Sequence, residues 1–360
     1  MQEITIGKNE AGQRLDKFLA KYMNLAPKSF FYKMMRKKNI TLNGKKCEGA
    51  EKLAEGDIVK LFLSDETIAG FTEVKVQKIQ NTKKQKLDVI YEDDHIVLIN
   101  KPSGMLSQKA KESDVSLVEY LIDYLLDSGA ITEESMRSFR PSICNRLDRN
   151  TSGIVACGKS LAGLQMLSEV FRDRSIHKYY QCIVKGEMKD SRTIDGWLLK
   201  DEATNKVQIF RSEVKDSLPI RTKYEPLATN GMYTLLKVTL ITGRSHQIRA
   251  HLASIGHPIL GDSKYGSFRN KNQVNAEDKY HIRSQLLHSY RLEFPDLKEP
   301  FSYLSGKAYE AQLPKDFMKV IEGEHLNLYF FRKEEGVNDG NMENQRASRI
   351  HIRRSDQSNQ

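Results

Sequence analysis

Asn145-Arg146-Leu147-Asp148-Arg149-Asn150-Thr151-Ser152-Gly153-Ile154 is the stretch on which the reading of this chain turns. It is a polar loop running into an apolar strand that ends near Cys157, and it sets one carboxylate between two arginines. Neighbouring cations favour the charged form of a carboxylate, which suits a nucleophile or a base rather than a general acid. Thr151 and Ser152 add short hydroxyl donors, and Gly153 adds a flexible turn. A structural salt bridge would read the same way, so other segments must decide.

Leu240-Ile241-Thr242-Gly243-Arg244-Ser245-His246-Gln247-Ile248-Arg249-Ala250-His251-Leu252 is the second informative segment. Ile248, Leu252 and Ile255 set a helical stripe that stops at Gly256, with Pro258 beyond. Arg244 to Arg249 therefore lie at or near a helix N-terminus, where cationic side chains and free N–H groups make a site for phosphate or a carboxylate. His246 and His251 lack the His-Glu-x-x-His pattern, and no metal is expected. Tyr180, Cys182 and Val184 alternate with Gln181, Ile183 and Lys185, the period of a half-buried strand.

Taken together, these segments resemble the RluA family of pseudouridine synthases. The signature R-L-D-x-x-T-S-G stands at Arg146 to Gly153. K-x-Y-x-A-x-V-x-G stands at Lys178, Tyr180, Cys182, Val184 and Gly186, with Cys182 in place of alanine. The long T-G-R-[TS]-H-Q-[IL]-R motif and its continuation run from Thr242 to Gly266, and N-K-P-x-G stands at Asn100 to Gly104. Asn145 replaces the histidine found before Arg-Leu-Asp in many members, and altered loop contacts are expected there. The resemblance covers residues 87 to about 317. It implies an α+β catalytic domain with a mainly antiparallel mixed sheet flanked by helices and loops.

The resemblance also implies roles. Asp148 would act on the ribose, either attacking its anomeric carbon or removing a proton from the neighbouring carbon. Arg249 would pair with it in bidentate fashion, and Tyr180 would stack on the uracil and could assist removal of the C5 proton. Arg146 would fill the space left by the flipped base, Ile248 would wall the base, and Lys101, Arg244 and His246 would contact substrate or the loops. The isomerisation involves no redox change, so no cofactor is expected.

At the N-terminus, residues 1–64 hold 13 Lys+Arg against 7 Asp+Glu, which is +6 of the chain's formal +10. Leu15, Phe18, Leu19 and Tyr22 form one helical stripe, and a second helix opens at Pro27 with Phe31, Met34 and Met35 turned inward. Ile40-Thr41-Leu42 leads into Asn43-Gly44, a tight hairpin, and a further strand follows Gly56-Asp57. Lys28, Lys33, Arg36, Lys37, Lys38, Lys45 and Lys46 gather around the second helix and the hairpin as a phosphate-contact surface. This small α/β module resembles the alpha-L RNA-binding domain, named after ribosomal protein S four, over residues 12–63.

The expected organisation is a basic module over 1–64, a polar linker over 65–86, a catalytic domain over 87–325 and a polar, disordered tail over 326–360. With 360 residues and 39% hydrophobic content the chain can bury a large core, but no apolar stretch is long enough to span a bilayer. Neither a signal peptide nor a C-x-x-C pair is present, so a cytoplasmic, disulfide-free monomer is expected. The expected partner is large-subunit ribosomal RNA, 23S in bacteria, free or in pre-ribosomal particles. A tRNA substrate and a non-catalytic rRNA-binding assembly factor are the alternatives. A glycoside hydrolase would need a second carboxylate about 5–9.5 Å from the first, and none accompanies the Asp148 loop in sequence.

Overall fold

Leu15, Phe18, Leu19 and Tyr22 all lie buried along one face of helix α1 (Leu15–Tyr22), as their spacing requires. Helix α2 (Lys28–Arg36) buries Phe31 and Met35 against it. In the computed structural model, which describes residues 1–73, 86–266 and 276–326, both helices pack on a four-stranded antiparallel sheet. Its strands are β1 (Gln2–Thr5), β2 (Ile40–Leu42), β3 (Lys45–Lys46) and β4 (Ile58–Leu61), in the order β1-β4-β2-β3. Asn43 and Gly44 take φ of 52° and 72°, the left-handed pair that a two-residue hairpin needs.

This module is longer than its sequence suggests. Residues 65–73, expected as linker, open with helix α3 (Asp65–Gly70), and the Ser64 hydroxyl caps it by accepting from Thr67 N–H at 3.2 Å. Ile68 is buried in the module's core, and the ring of Phe71 lies 4.7 Å from that of Phe30. Two apolar anchors among polar neighbours hold the helix down but are too few to make a visible period. The rest of the expected linker up to residue 85, and the expected tail from residue 327, lie outside the described residues. Leu326, assigned to that tail, is buried beside the last helix.

The larger body contains β5 (Val89–Glu92), β6 (Ile96–Lys101), α4 (Leu117–Asp127), β7 (Ser142–Ile143), β8 (Ser152–Gly158), α5 (Leu161–Arg172) and β9 (His177–Lys185). It continues through β10 (Arg192–Asp201), β11 (Lys206–Phe210), β12 (Leu218–Thr229), β13 (Tyr233–Leu240), α6 (Gln247–Ser254), α7 (Ala276–Lys279), β14 (Leu287–Glu293), β15 (Ala308–Glu310) and α8 (Lys315–Gly323). Among the described residues the strands form one eleven-stranded sheet. Its main path runs β11-β10-β12-β13-β9-β14-β8-β6-β5, with β15 added to β14 and β7 to β8. Only β8 and β14 pair in parallel.

Both faces of this sheet are covered at β8, which is why that strand is apolar along its length. Val155 and Cys157 of β8 point into the core built with α4 and α6, while Ile154 and Ala156 point into the core under α5. In β9 Tyr180, Cys182 and Val184 join the first core while Tyr179, Gln181 and Lys185 on the other face are only half-buried, the expected alternation broken at Ile183, which packs towards α8. Helix α4 starts as its sequence indicates, with Glu119 accepting from the Ser116 backbone N–H at 3.0 Å and hydroxyl at 2.7 Å. The Asp148 loop enters β8, Tyr180 lies on β9 and α6 follows β13, so the sheet's centre brings the three motifs together.

Candidate active site

The Asp148 loop is held mainly through its backbone. Ser107 grips Leu147 twice, its hydroxyl donating to the Leu147 carbonyl at 2.8 Å and accepting from the Leu147 N–H at 3.1 Å. The Thr151 N–H closes a turn onto the Asp148 carbonyl at 3.0 Å. Asn145, standing where many relatives have histidine, bonds β8 with both ends of its amide. It donates to the Ile154 carbonyl at 3.2 Å and accepts from Ala156 N–H at 2.8 Å. Gly153, at φ +114°, passes so close to β14 that a Cβ would sit 2.2 Å from the Ser289 carbonyl oxygen.

Lys101, expected to contact substrate or a loop, makes loop contacts and is fully buried. Its ammonium donates to the carbonyls of Pro102 at 2.9 Å, Met105 at 2.9 Å and Arg149 at 3.1 Å, which uses all three of its protons. Burial pulls its pKa down to about 7 against the opposing charge of Asp148. It ties the 102–105 turn to the Asp148 loop and contacts no solvent.

Arg249 departs from expectation in a second way. Its guanidinium forms the fork with Asp262, Nε to Oδ2 at 2.7 Å and Nη2 to Oδ1 at 2.9 Å, and gives Asp148 a single bond from Nη1 at 2.7 Å. Asp262 is wholly buried, and its Oδ1 also accepts from the N–H groups of Lys264 at 2.9 Å and Tyr265 at 3.1 Å. Burial works to raise the Asp262 pKa, but the bonds from Arg249 overcome it and hold the carboxyl below its ordinary value. Asp262 is thus the orienting partner, and it leaves one face of the Asp148 carboxylate open.

Of the remaining site residues, His246 lies nearest this carboxylate. Tyr180 and Ile248 are buried in the same core cluster. Burial pushes the Tyr180 phenol up to about 12, and the Ser289 hydroxyl bonds to its oxygen. His246 caps α6 from the left-handed region, φ 54°, with Nε2 at 3.9 Å from Asp148 Oδ2 and Nδ1 at 2.9 Å from the Tyr265 hydroxyl. Arg244 carries a buried Nε with no hydrogen-bond partner among the described residues, a donor that an anionic group would satisfy. Arg146 is exposed at the loop's surface. In the N-terminal module Lys28, Lys33, Arg36, Lys37, Lys38, Lys45 and Lys46 are all exposed.

Residues 95–254 match the family model for RNA pseudouridylate synthase, and residues 13–59 match that for the S4 domain. A curated relative, ribosomal large subunit pseudouridine synthase C of Vibrio vulnificus (strain CMCP6), is 34% identical over 315 residues, covering 83% of this chain and 91% of the relative. The chain belongs to the RNA pseudouridylate synthase family. The protein of the same name from Salmonella typhimurium is 30% identical over 298 residues, with 81% and 88% of the two chains covered. The solved structure of human RNA pseudouridylate synthase domain containing 4 shares the fold at a TM-score of 0.53 and 21% identity, covering 66% of this chain and 93% of its own. As a pseudouridine synthase the chain is an isomerase acting on RNA.

Several residues that build this synthase's site were not singled out from sequence. Asp262 and Tyr265 lie inside the Thr242–Gly266 motif and could have been drawn from it. Gln285, His288 and Ser289 carry no such signal. Gln285 donates to the Thr151 hydroxyl at 3.2 Å, and His288 Nδ1 lies 2.8 Å from the Ser152 hydroxyl. Ser289 pairs with Gly153 across the parallel strands. One short segment thus holds each residue of Thr151-Ser152-Gly153.

Proposed function

We propose that this synthase isomerises uridines of large-subunit ribosomal RNA, with Asp148 as the reacting group. The observation that carries the reading is the single-point bond from Arg249 to Asp148, backed by the Arg249–Asp262 fork. It fixes one carboxylate oxygen and leaves the other for the sugar. The N-terminal basic surface and the large-subunit names of the relatives favour ribosomal over transfer RNA.

In the reaction the bond from uracil N1 to ribose C1′ breaks, the base turns, and a bond from C5 to C1′ forms. The C5 proton leaves and N1 regains one. Asp148 serves either by adding to C1′ or by removing the C2′ proton to give a glycal, and the geometry accommodates both routes. The exposed Arg146 occupies the place of the flipped base, whose extrusion costs a few kcal/mol. Tyr180, kept neutral by its raised pKa, is a stacking platform and a poor proton acceptor. Ile248 walls the base, and the unpaired Arg244 Nε meets a backbone phosphate. The enzyme acts as a cytoplasmic monomer and its chemistry draws on no cofactor.

The test is pseudouridine mapping of 23S rRNA and bulk tRNA in cells lacking the gene, complemented with wild type or Asp148→Ala. Discrete 23S sites lost on deletion and restored by wild type alone are the expected result. Sites lost from tRNA instead would overturn the substrate, and rescue by Asp148→Ala would overturn the catalyst.

A further inference from the structure

We propose that Tyr265 is a positioning residue that fixes His246 as the tautomer protonated on Nε2, so that a neutral N–H donor faces Asp148. Val207 belongs to β11, the last strand of the sheet's path, and its main-chain N–H donates to the Tyr265 hydroxyl oxygen at 3.0 Å. That bond occupies the phenol oxygen as an acceptor. Its single proton then goes to the other neighbour in reach, Nδ1 of His246 at 2.9 Å. An Nδ1 that accepts carries no hydrogen, and a neutral imidazole must then keep its proton on Nε2. Nε2 is the ring nitrogen that lies 3.9 Å from Asp148 Oδ2.

Three further features hold this arrangement. Burial keeps the His246 pKa below the ordinary histidine value, ahead of the opposing pull of Asp148, and the Arg249 and Lys264 cations add to the lowering. The left-handed backbone of His246 is uncommon for a non-glycine residue and aims the ring from the helix cap. Tyr265 is itself clamped, with its N–H on Asp262, the Arg249 guanidinium 5.3 Å over its ring, and Lys264 bonded to the Asn205 carbonyl at 2.8 Å. The hairpin β10–β11 thereby reaches the catalytic carboxylate through two side chains. The 3.9 Å gap is too long for a hydrogen bond, so the donor is free for a ribose hydroxyl placed against the carboxylate.

The functional half of this inference rests on Asp148 being the reacting group, while the tautomer does not. The experiment uses the full-length protein with 15N-labelled histidine. Long-range 1H–15N spectra at pH 8 report which ring nitrogen of His246 is protonated, with the resonances assigned by their loss in His246→Gln. The expected wild-type pattern is an unprotonated Nδ1 and a protonated Nε2. Tyr265→Phe keeps the ring under Arg249 but removes the hydroxyl. It should give a mixture of tautomers and a kcat on the rRNA transcript lower by about 10-fold or more, with KM within twofold. A proton on Nδ1 in wild type would overturn the assignment even if the variant failed to fold. A changed tautomer with wild-type kcat would overturn the donor's role. If Asp148→Ala proved active, the catalytic reading would fall and the spectrum would still decide the tautomer.

Discussion

Arg249 and Asp262 lie fork to fork at 2.7 and 2.9 Å in the protein interior, with Asp262 wholly buried and Arg249 nearly so. A buried pair of this kind orients more than it stabilises, because the Coulomb gain must first offset the cost of dehydrating both ions. What it orients here is the third N–H of the guanidinium, the one given to Asp148. Asp262→Asn keeps the shape and removes the charge, leaving Arg249 with Asp148 as its anionic partner and one fork acceptor lost. The expected outcome is a loss of about 1–3 kcal/mol in urea unfolding. A kcat lower by about 100-fold at little-changed KM should accompany it, since misplacing a reacting group by an ångström costs on that order. Unchanged kcat in a folded variant would show that Asp148 needs no such alignment.

Gly153 is where the catalytic loop meets β14, and the space there is closed to any side chain. A Cβ would meet the Ser289 carbonyl oxygen at 2.2 Å and its nitrogen at 2.5 Å, both backbone atoms that cannot swing aside, and φ of +114° disfavours an L residue besides. Gly153→Ala should therefore cost at least about 3 kcal/mol. That corresponds to a fall in Tm of roughly 10 °C, measurable by calorimetry. A Tm within 2 °C of wild type would mean that the two strands separate more easily than their pairing suggests.

How much of this site the chain displays before folding depends on the kind of residue. Asp148, Tyr180 and Arg249 stand in motifs dense with polar letters, and the apolar periods around α1, α4 and α6 are regular enough to place them on elements. Ile255 broke one such period, being exposed beyond the end of α6. Lys101 reads in sequence only as a contact to substrate or loop, and three converging carbonyls make it a buried clasp of the loop. The Arg249 fork was given to the wrong aspartate for a related reason. Which of two carboxylates takes the fork is settled by the turn at 262–265, whose backbone N–H groups fix Asp262, and no periodicity encodes that. His288 lies in an apolar strand and is legible only once β14 is laid beside β8.

His288 also makes the fold acid-sensitive. Burial lowers its pKa to about 4, with the bond to the Ala311 carbonyl opposing weakly. An unfolded histidine titrates near 6.5, so between pH 6.5 and 4 the unfolded state binds a proton that the native state does not. Stability is fully present above pH 6.5 and falls as pH drops through that window. From pH 7 to 5 the loss from this one group is about 2 kcal/mol. His288→Gln, which keeps a donor and an acceptor but cannot titrate, should show that much less decline in its urea-unfolding free energy over the same interval. Equal declines in the two proteins would mean that His288 is protonated in the native state.

If the basic face of the N-terminal module binds RNA, its contribution separates from catalysis by salt. Lys33, Arg36 and Lys37 are exposed on and just beyond α2, where nothing in the module's core depends on them. If each contacts a phosphate, replacing all three with glutamine removes three counterion-release events. The slope of log Kd against log salt for the rRNA substrate should then shrink by about 2, at roughly 0.7 per single-strand contact. Affinity should drop most at low salt, while kcat at saturating RNA stays within twofold, because Asp148 and Arg249 are untouched. A lowered kcat with an unchanged slope would point the other way, to a face that positions the body and not the RNA.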